Sequence, residues 1–513
     1  MKTNILYFPL LVLLTAVSLC GCSNDDEPVV TATDGTTLTV TARADGFAST
    51  DGTAQTGTPH TDTPQTRASE SGYTTTFVKG DQIGVFAVKD GSVITGCQNM
   101  PLTYDGTSWS GSTPVYKYAG ATYFAYYPYT DGMNNKTSVD EIVAAFNTTV
   151  TTATDQSTYA KYTACDLMTT TGAVSPTSSS LSFSFTHKMS LIEISLPVQK
   201  YKTTDNANAY EYSAPVLGAT FSLTPNGSSA TTIKPCPMGN GIYRYIVPAG
   251  TSDVSGAFNI ADGKTIEYSK SSLSLSAGNY KRLNVTYSGA PSTTPTVRAL
   301  AVGDYYYSDG GIVPKDASSP PSEGCIGIVM KVGYDSSKGD NRYYTKGGQS
   351  MSTIHGYVLA LYDANDKKTC AWGSYGETIG TNTDKDSRFD GYNNTQIIKK
   401  YAASNSKDLQ TAFPATYHAT DGYELKHPAP SNSSGWFLPS SGQCWYWYQN
   451  KDLLKGSMDK VGGDGWQSYY WSSSENSNSP ASYAWYVSFR SGDVYSDRKN
   501  YDYDNRVRSS LAF

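Results

Sequence analysis

Side chains able to do chemistry are sparse in this sequence. Downstream of residue 22 lie six cysteines, Cys97, Cys165, Cys236, Cys325, Cys370 and Cys444. None forms a CxxC pair, and their wide spacing suits neither a zinc site nor a redox dithiol. Three fall on each side of a Pro/Gly-rich stretch at 288–296, so pairing within each half would leave one over in both. Export would permit disulfides, and buried free thiols are the other reading. The chain has 5 His and neither an HExxH nor a paired-His spacing, so the ligand set of a metallohydrolase is missing. His187 sits in an alternating apolar run and reads as structural. Gly80, Asp81 and Gly84 match no nucleotide-binding fingerprint and precede no helix, so they read as turn or close-packing residues. Asp384, Asp386 and Asp390 lack calcium-loop spacing and read as a solvated loop. No catalytic residue, metal or cofactor is expected.

What the sequence offers instead is tyrosine, 41 residues of it. The stretch 491–505, Ser-Gly-Asp-Val-Tyr-Ser-Asp-Arg-Lys-Asn-Tyr-Asp-Tyr-Asp-Asn, interleaves Tyr with short polar residues. Tyr supplies rigid amphipathic area at low entropic cost, and Asp, Asn and Ser adapt their hydrogen bonds, the chemistry of antibody paratopes. Tyr495, Asp497, Arg498, Tyr501, Asp502, Tyr503 and Asp504 are therefore the candidate binding surface for an extracellular protein or glycan. A solvated Tyr-rich hairpin is the competing reading. The chain's 513 residues carry a formal net charge of -6 with 16% charged residues and no long basic block. No nucleic-acid partner is expected, and low charge with abundant Tyr, Thr, Ser and Gly suits a β-rich exported protein.

The start of the chain supports export. Met1-Lys2-Thr3 is a short basic region and 5–19 is an apolar stretch too short for a membrane span, so 1–21 reads as a signal peptide. Ser18-Leu19-Cys20-Gly21-Cys22 resembles the lipobox of bacterial lipoproteins, which implies lipid on Cys22 and an outer-membrane anchor. Residues 22–35, with the acidic run Asp25-Asp26-Glu27, form the tether.

Alternation places strands at 37–42, 73–77, 82–88, 115–127, 181–185, 191–196, 243–247 and 283–287. Residues 49–66 lose all apolar periodicity and read as a protease-accessible loop ending near Arg67. Ser138 and Glu141 predict a capped helix, as do Ser440 and Gln443, and a further helix is expected over 395–402. Late strands are expected at 469–472, 484–489 and 506–513. The division that follows is a β-domain at 36–178, a second at 179–288, a linker at 289–296, and an α+β domain at 297–513.

Motifs sharpen this division. Phe77-Val78-Lys79-Gly80-Asp81-Gln82-Ile83-Gly84-Val85-Phe86, Tyr123-Phe124-Ala125-Tyr126-Tyr127-Pro128-Tyr129, Asp166-Leu167-Met168 and Phe185-Thr186-His187-Lys188-Met189-Ser190-Leu191-Ile192 together resemble the fimbrillin family of type V pili. The resemblance implies two β-sandwich-like domains and assembly with other pilus subunits by strand addition, after an Arg-specific protease removes the first strand. Arg67 is the expected cut and Arg43 the alternative. Excising the strand at 37–42 would leave an unpaired sheet edge.

The second half resembles another family. Gly435-Trp436-Phe437-Leu438-Pro439-Ser440, Tyr470-Trp471-Ser472-Ser473-Ser474-Glu475, Ala484-Trp485-Tyr486-Val487-Ser488-Phe489 and Arg506-Val507-Arg508 are similar to the C-type-lectin-like domain of bacterial surface lipoproteins. That resemblance carries no enzyme activity, and its framework positions make Trp436, Trp471 and Trp485 core residues. The stretch 491–505 also resembles a variable segment diversified by retroelement-driven mutagenesis. Taken together, the sequence predicts a mainly β N-terminal half with two fimbrillin-like β-sandwich domains plus an α+β, C-type-lectin-like C-terminal domain. The expected function is adhesion at a pilus tip or on the cell surface. A lipid-anchored binder that never polymerises is the alternative.

Overall fold

The computed structural model describes residues 33–49, 69–170, 172–204, 209–260, 264–334, 342–346, 350–385 and 387–513. The signal segment, Cys22, most of the tether, Arg67 and Asp386 lie outside the described residues.

The first unit grows from two strands that are apolar on both faces. Gln82–Lys89 and Thr122–Tyr127 pair antiparallel. Ile83, Val85, Ala87, Tyr123, Ala125 and Tyr127 point into one core, and Phe86, Phe124 and Tyr126 into another. Continuous apolar runs mark strands covered on both sides. Gly84 is a close-packing position, because a Cβ there would collide with the Tyr126 ring and Asn99. Asp81 is buried in the preceding turn, accepting hydrogen bonds from the Val78 amide at 2.6 Å and the Tyr127 hydroxyl at 3.1 Å.

Pairing runs from Thr122–Tyr127 through Met168–Thr170, Ser180–His187, Thr39–Ala44, Trp109–Ser110 and Met100–Tyr104 to Gln82–Lys89, which bonds back to Thr122–Tyr127. Among the described residues the sheet therefore closes on itself as a ring, with Ser92–Val93 paired at the side of Gln82–Lys89, and Thr39–Ala44 is one of its staves. Against its outer face lie the helices Val139–Thr152 and Tyr159–Ala164, which bury Ile142, Phe146, Val150, Tyr159 and Tyr162. Ser138 caps the first through the Glu141 amide, but Glu141 turns to the Thr137 amide at 2.9 Å, so the expected reciprocal box is only half made.

The predicted border at 178/179 falls inside this ring. Ser180–His187 pairs with Met168–Thr170 and Thr39–Ala44, and the chain crosses into the next unit only before Ser190–Ser195. There two sheets face one another. One contains Ile242–Val247, Ser190–Ser195 and Asn279–Asn284; the other contains Leu217–Pro225, Gly250–Asn259 and Thr265–Leu275. Ile192, Ile194, Tyr245 and Val247 meet Phe221, Leu223, Val254, Phe258 and Leu273 between them, the inward alternation of a sandwich.

The predicted linker is stitched down at its end, where Thr296–Val297 pairs parallel with Lys200–Lys202. Beyond it stands an α+β unit. Ile312–Val313, Tyr305–Tyr307, Cys325–Val332, Gly356–Asp363 and Arg508–Ala512 form a five-stranded sheet. Tyr469–Glu475, Tyr483–Ser488 and Val494–Arg498 form a three-stranded one. The helices Gly391–Ser404, Ser441–Gln449 and Lys451–Lys460 pack alongside, and Ser440 with Gln443 forms the full reciprocal capping box. Trp436, Trp471 and Trp485 are buried. The six cysteines among the described residues are all buried.

Candidate functional site

Two regions collect the sequence's candidates. The first is the groove occupied by residues 33–49. Thr33–Thr37 pairs with Tyr116–Tyr118. Thr39–Ala44 runs parallel to Ser180–His187 through six residue pairs, from Thr39 opposite Ser180 to Ala44 opposite Phe185, and Ala48–Ser49 runs parallel to Asn279–Asn284. One segment thus completes sheets in both β-units. Its apolar grip is small: Leu38 and Val40 enter the ring core and Phe47 enters the junction between the units. Thr39, Thr41, Arg43 and Asp45 face solvent. Arg43 lies within the paired strand, its Nε donating to Ser184 Oγ at 2.9 Å, so a protease would have to pull a stave out before cutting there. Arg67 lies outside the described residues.

The chain resumes as a hairpin of Ser69–Ser71 with Thr74–Thr76, wedged at the junction. Glu70 is buried there and accepts from Arg244 Nη1 at 2.8 Å and from the Tyr162 hydroxyl at 3.0 Å. Burial pushes its carboxyl above the usual carboxylate range, against the pull of Arg244. Arg244 Nε and Arg282 Nε both donate to Glu193, at 2.9 and 2.6 Å. The Tyr73 ring stacks on Tyr280 with centroids 3.7 Å apart, and the Arg244 guanidinium lies 4.7 Å from its centroid. Beside this network His187 bonds Asp166. Sequence reasoning missed the whole cluster, because its members lie scattered over more than 200 residues and meet only in space.

The second region is the Tyr-rich stretch, part of which forms the strand Val494–Arg498. Strand alternation sorts its residues. Tyr495 stands opposite Tyr486, which stands opposite Trp471 on the next strand. Rings of Tyr469 and Tyr486 lie 5.5 Å apart and those of Tyr486 and Tyr495 6.0 Å apart, a row of aromatic rungs across three strands. Arg490 caps the row 5.4 Å from the Tyr469 centroid. Asp497 and Asp504 flank Tyr486. Partial burial raises its hydroxyl pKa first, and these carboxylates add to the rise. Tyr495 is 46% exposed and its hydroxyl donates to Asp493 at 3.0 Å.

Arg498 takes the opposite strand face, paired with Tyr483 and reaching its hydroxyl. Past a tight turn, Tyr501 and Tyr503 pair their rings at 5.1 Å and are 38% and 74% exposed. Asp502 and Asp504 are exposed beside them. The base of this loop is pinned by Lys499, buried against Trp372 and donating to Glu475 at 2.6 Å. The structure thus brings Tyr495, Asp497 and Asp504 together, sets Tyr501, Asp502 and Tyr503 on an adjoining loop, and turns Arg498 away. Tyr469, Tyr486 and Arg490 are additions. Alternation over 484–489 already separates Trp485 and Val487 from Tyr486, which was the available signal. Among the described residues no cluster of His, Cys, Asp or Glu could hold a metal ion.

The fimbrillin-like family model matches residues 66–300. A Bacteroides ovatus protein described as a fimbrium tip subunit, Fim1C, is 31% identical over 467 residues, which cover 81% of this chain and 84% of that one. The chain belongs to the fimbrillin-like family. A crystal structure of a fimbrial protein from Bacteroides ovatus matches at 25% identity and a TM-score of 0.48, covering 93% of this chain and 99% of that one. One described as a cell adhesion protein, from Bacteroides uniformis, matches at 16% identity and a TM-score of 0.29, covering 50% and 94%. These relatives are described as fimbrial and adhesion proteins.

Proposed function

We propose that this protein is the tip adhesin of a type V pilus. The observation that carries the reading is the unlike footing of an early strand, Thr39–Ala44, and a late one, Arg508–Ala512. The N-terminal segment is a stave held mainly by backbone pairing, and its removal would open the ring between Ser180–His187 and Trp109–Ser110. A strand from a neighbouring subunit could then fill that edge. The late strand Arg508–Ala512 is buried along its length and paired with Gly356–Asp363, so this strand is committed to its own sheet. A subunit that accepts a strand early in its chain while its late strand stays bound suits the end of a fibre.

On this reading the chain is exported through residues 1–21, lipidated on Cys22, and cut at Arg67 in preference to Arg43. The division into a first β-domain, a second, a short linker and a C-type-lectin-like domain beyond residue 297 belongs to the same proposal, with its first border moved past His187. The ligand surface is the aromatic row with Tyr495, Asp497, Tyr501, Asp502, Tyr503 and Asp504, and Arg498 at its margin. Its ligand is an extracellular protein or glycan. Mass spectrometry of the mature N-terminus tests the scheme: a terminus at Ala68 is the expected result, and lipidated Cys22 as the sole form would favour an anchored binder. Immunogold label along pilus shafts rather than at their ends would remove the tip assignment.

A further inference from the structure

The segment 33–49 touches one titratable side chain in a way that its backbone pairing does not require. His187, at the end of Ser180–His187, is buried, and its two ring nitrogens face two acceptors. Nδ1 lies 2.8 Å from Asp166 Oδ1 and Nε2 lies 2.9 Å from the Asp45 carbonyl oxygen. A carbonyl only accepts, so a hydrogen bond at Nε2 needs a proton there, and the carboxyl facing Nδ1 can accept a bond from a second. The two contacts together suit an imidazolium. The Phe47 ring covers it, with centroids 3.8 Å apart and planes 23° apart, placing the cation over an aromatic face. Both Asp45 and Phe47 belong to the removable segment.

We propose that His187 is a proton-dependent latch that holds the segment 33–49 in its groove and selects an aromatic side chain at the Phe47 position of any strand lodged there. The selection of an incoming strand rests on the pilus reading above, whereas the latch itself is a property of the single chain. The step is a simple proton loss. The proton on Nδ1 faces a carboxylate and is the better held of the two. Removing the other leaves Nε2 as an acceptor aimed at the Asp45 oxygen. Thr75 Oγ1, 3.2 Å away, can then rotate to donate to Nε2, and the bond to the segment is lost. The ring's charge, and with it the attraction to Phe47, goes at the same time.

The groups facing His187 agree on the direction. Burial opposes its charge, but Asp166 and, more distantly, Glu70 outweigh it and raise the imidazole pKa. The charge of Glu70 is itself shared with Arg244, and Thr75 and Phe47 are neutral. A raised value in the folded state means that the latch is complete below the ordinary histidine value near 6.5 and is lost as pH rises through the folded one.

Hydrogen exchange on the purified full chain tests this, with each rate divided by the intrinsic rate at that pH. The reporters are the Phe47 and Ala48 amides, which donate to the Tyr73 and Gly278 carbonyls. Between about pH 5.5 and about pH 9 their protection should fall about tenfold. His187→Gln should flatten that dependence, Phe47→Leu should lower protection at acid pH, and Phe47→Tyr should restore it. Protection independent of pH in the wild type, or unchanged pH dependence in H187Q, overturns the latch. Equal protection in F47L and F47Y overturns the aromatic selection even if H187Q fails to fold. A wild type that shows the latch but yields only lipidated, unprocessed protein would remove the pilus reading and leave this one standing.

Discussion

The two ends of the described chain are both strands, and they are built to opposite rules. Thr39–Ala44 lies parallel to its principal neighbour, alternates exposed and covered side chains, and buries only Val40 fully. Arg508–Ala512 is buried at every residue, and Arg508 Nε donates to Asp363, itself buried, at 2.7 Å while its guanidinium lies 5.1 Å from the Trp466 ring. Backbone pairing is indifferent to sequence, so a strand held mainly by it can be exchanged for another. A buried ion pair and close side-chain packing are specific to one sequence, and a strand held by them stays. On the reading proposed above, the difference separates a replaceable element from a permanent one.

The largest effect should come from breaking the permanent end. Arg508→Ala leaves buried Asp363 with Arg506, 3.5 Å away, as its remaining cation, and a loss of about 3 kcal/mol is expected. Urea denaturation of R508A, D363A and the double variant checks it, with the double losing less than the sum. A cost below about 1 kcal/mol would erase the contrast, since surface pairs cost that little.

At the replaceable end, Leu38→Ala should cost about 2 kcal/mol and act locally. After limited proteolysis between residues 49 and 69, the N-terminal fragment should leave the body faster on size-exclusion chromatography, with the urea transition of the C-terminal unit unmoved. A global shift in both would mean that the segment is as integral as the C-terminal strand.

Smaller still, Tyr503→Ala should change stability by less than about 0.5 kcal/mol, since its side chain is largely in water. Tyr501→Ala should do likewise, while either weakens adhesion of whole cells by about tenfold if the loop is an anchor. Unchanged adhesion would confine the ligand surface to the aromatic row. The smallest expected signal is silence: burial pushes the thiols of Cys97, Cys325 and Cys370 up to about 12. None should be alkylated in the native protein near pH 8, where a free thiol of ordinary pKa reacts. Labelling of any of these would reopen a chemical role for them.

How far the fold was legible follows from periodicity. Strands such as Gln82–Lys89, Ser180–His187 and Ile242–Val247 carry apolar residues at period two or in unbroken runs, and they were readable to within a residue or two. Gly250–Asn259 and Thr265–Leu275 were not, because they are Ser- and Thr-rich, largely solvated on one face, and gain stability from pairing along their whole length. The 115–127 stretch broke into Tyr116–Tyr118 and Thr122–Tyr127 around Gly120, whose positive φ of 73° suits a turn. The helix cap at Ser440 was legible because a capping box is local. Half of the Tyr-rich surface was legible for the same reason: 491–505 is contiguous, whereas Tyr469, Tyr486 and Arg490 join it only through strand register.

Sequence alone therefore determined what short-range chemistry can write: the β-rich character, the absence of metal-ligand spacing, the capped helices, the tyrosine cluster and the family motifs. Tertiary structure decided the rest. It closed the first sheet into a ring with residues 39–44 as a stave, and it gathered Glu70, Glu193, Arg244 and Arg282 at one junction. It also set His187 between Asp166 and the segment 33–49. These features depend on which strands lie side by side, and no local pattern of residues specifies its distant neighbour.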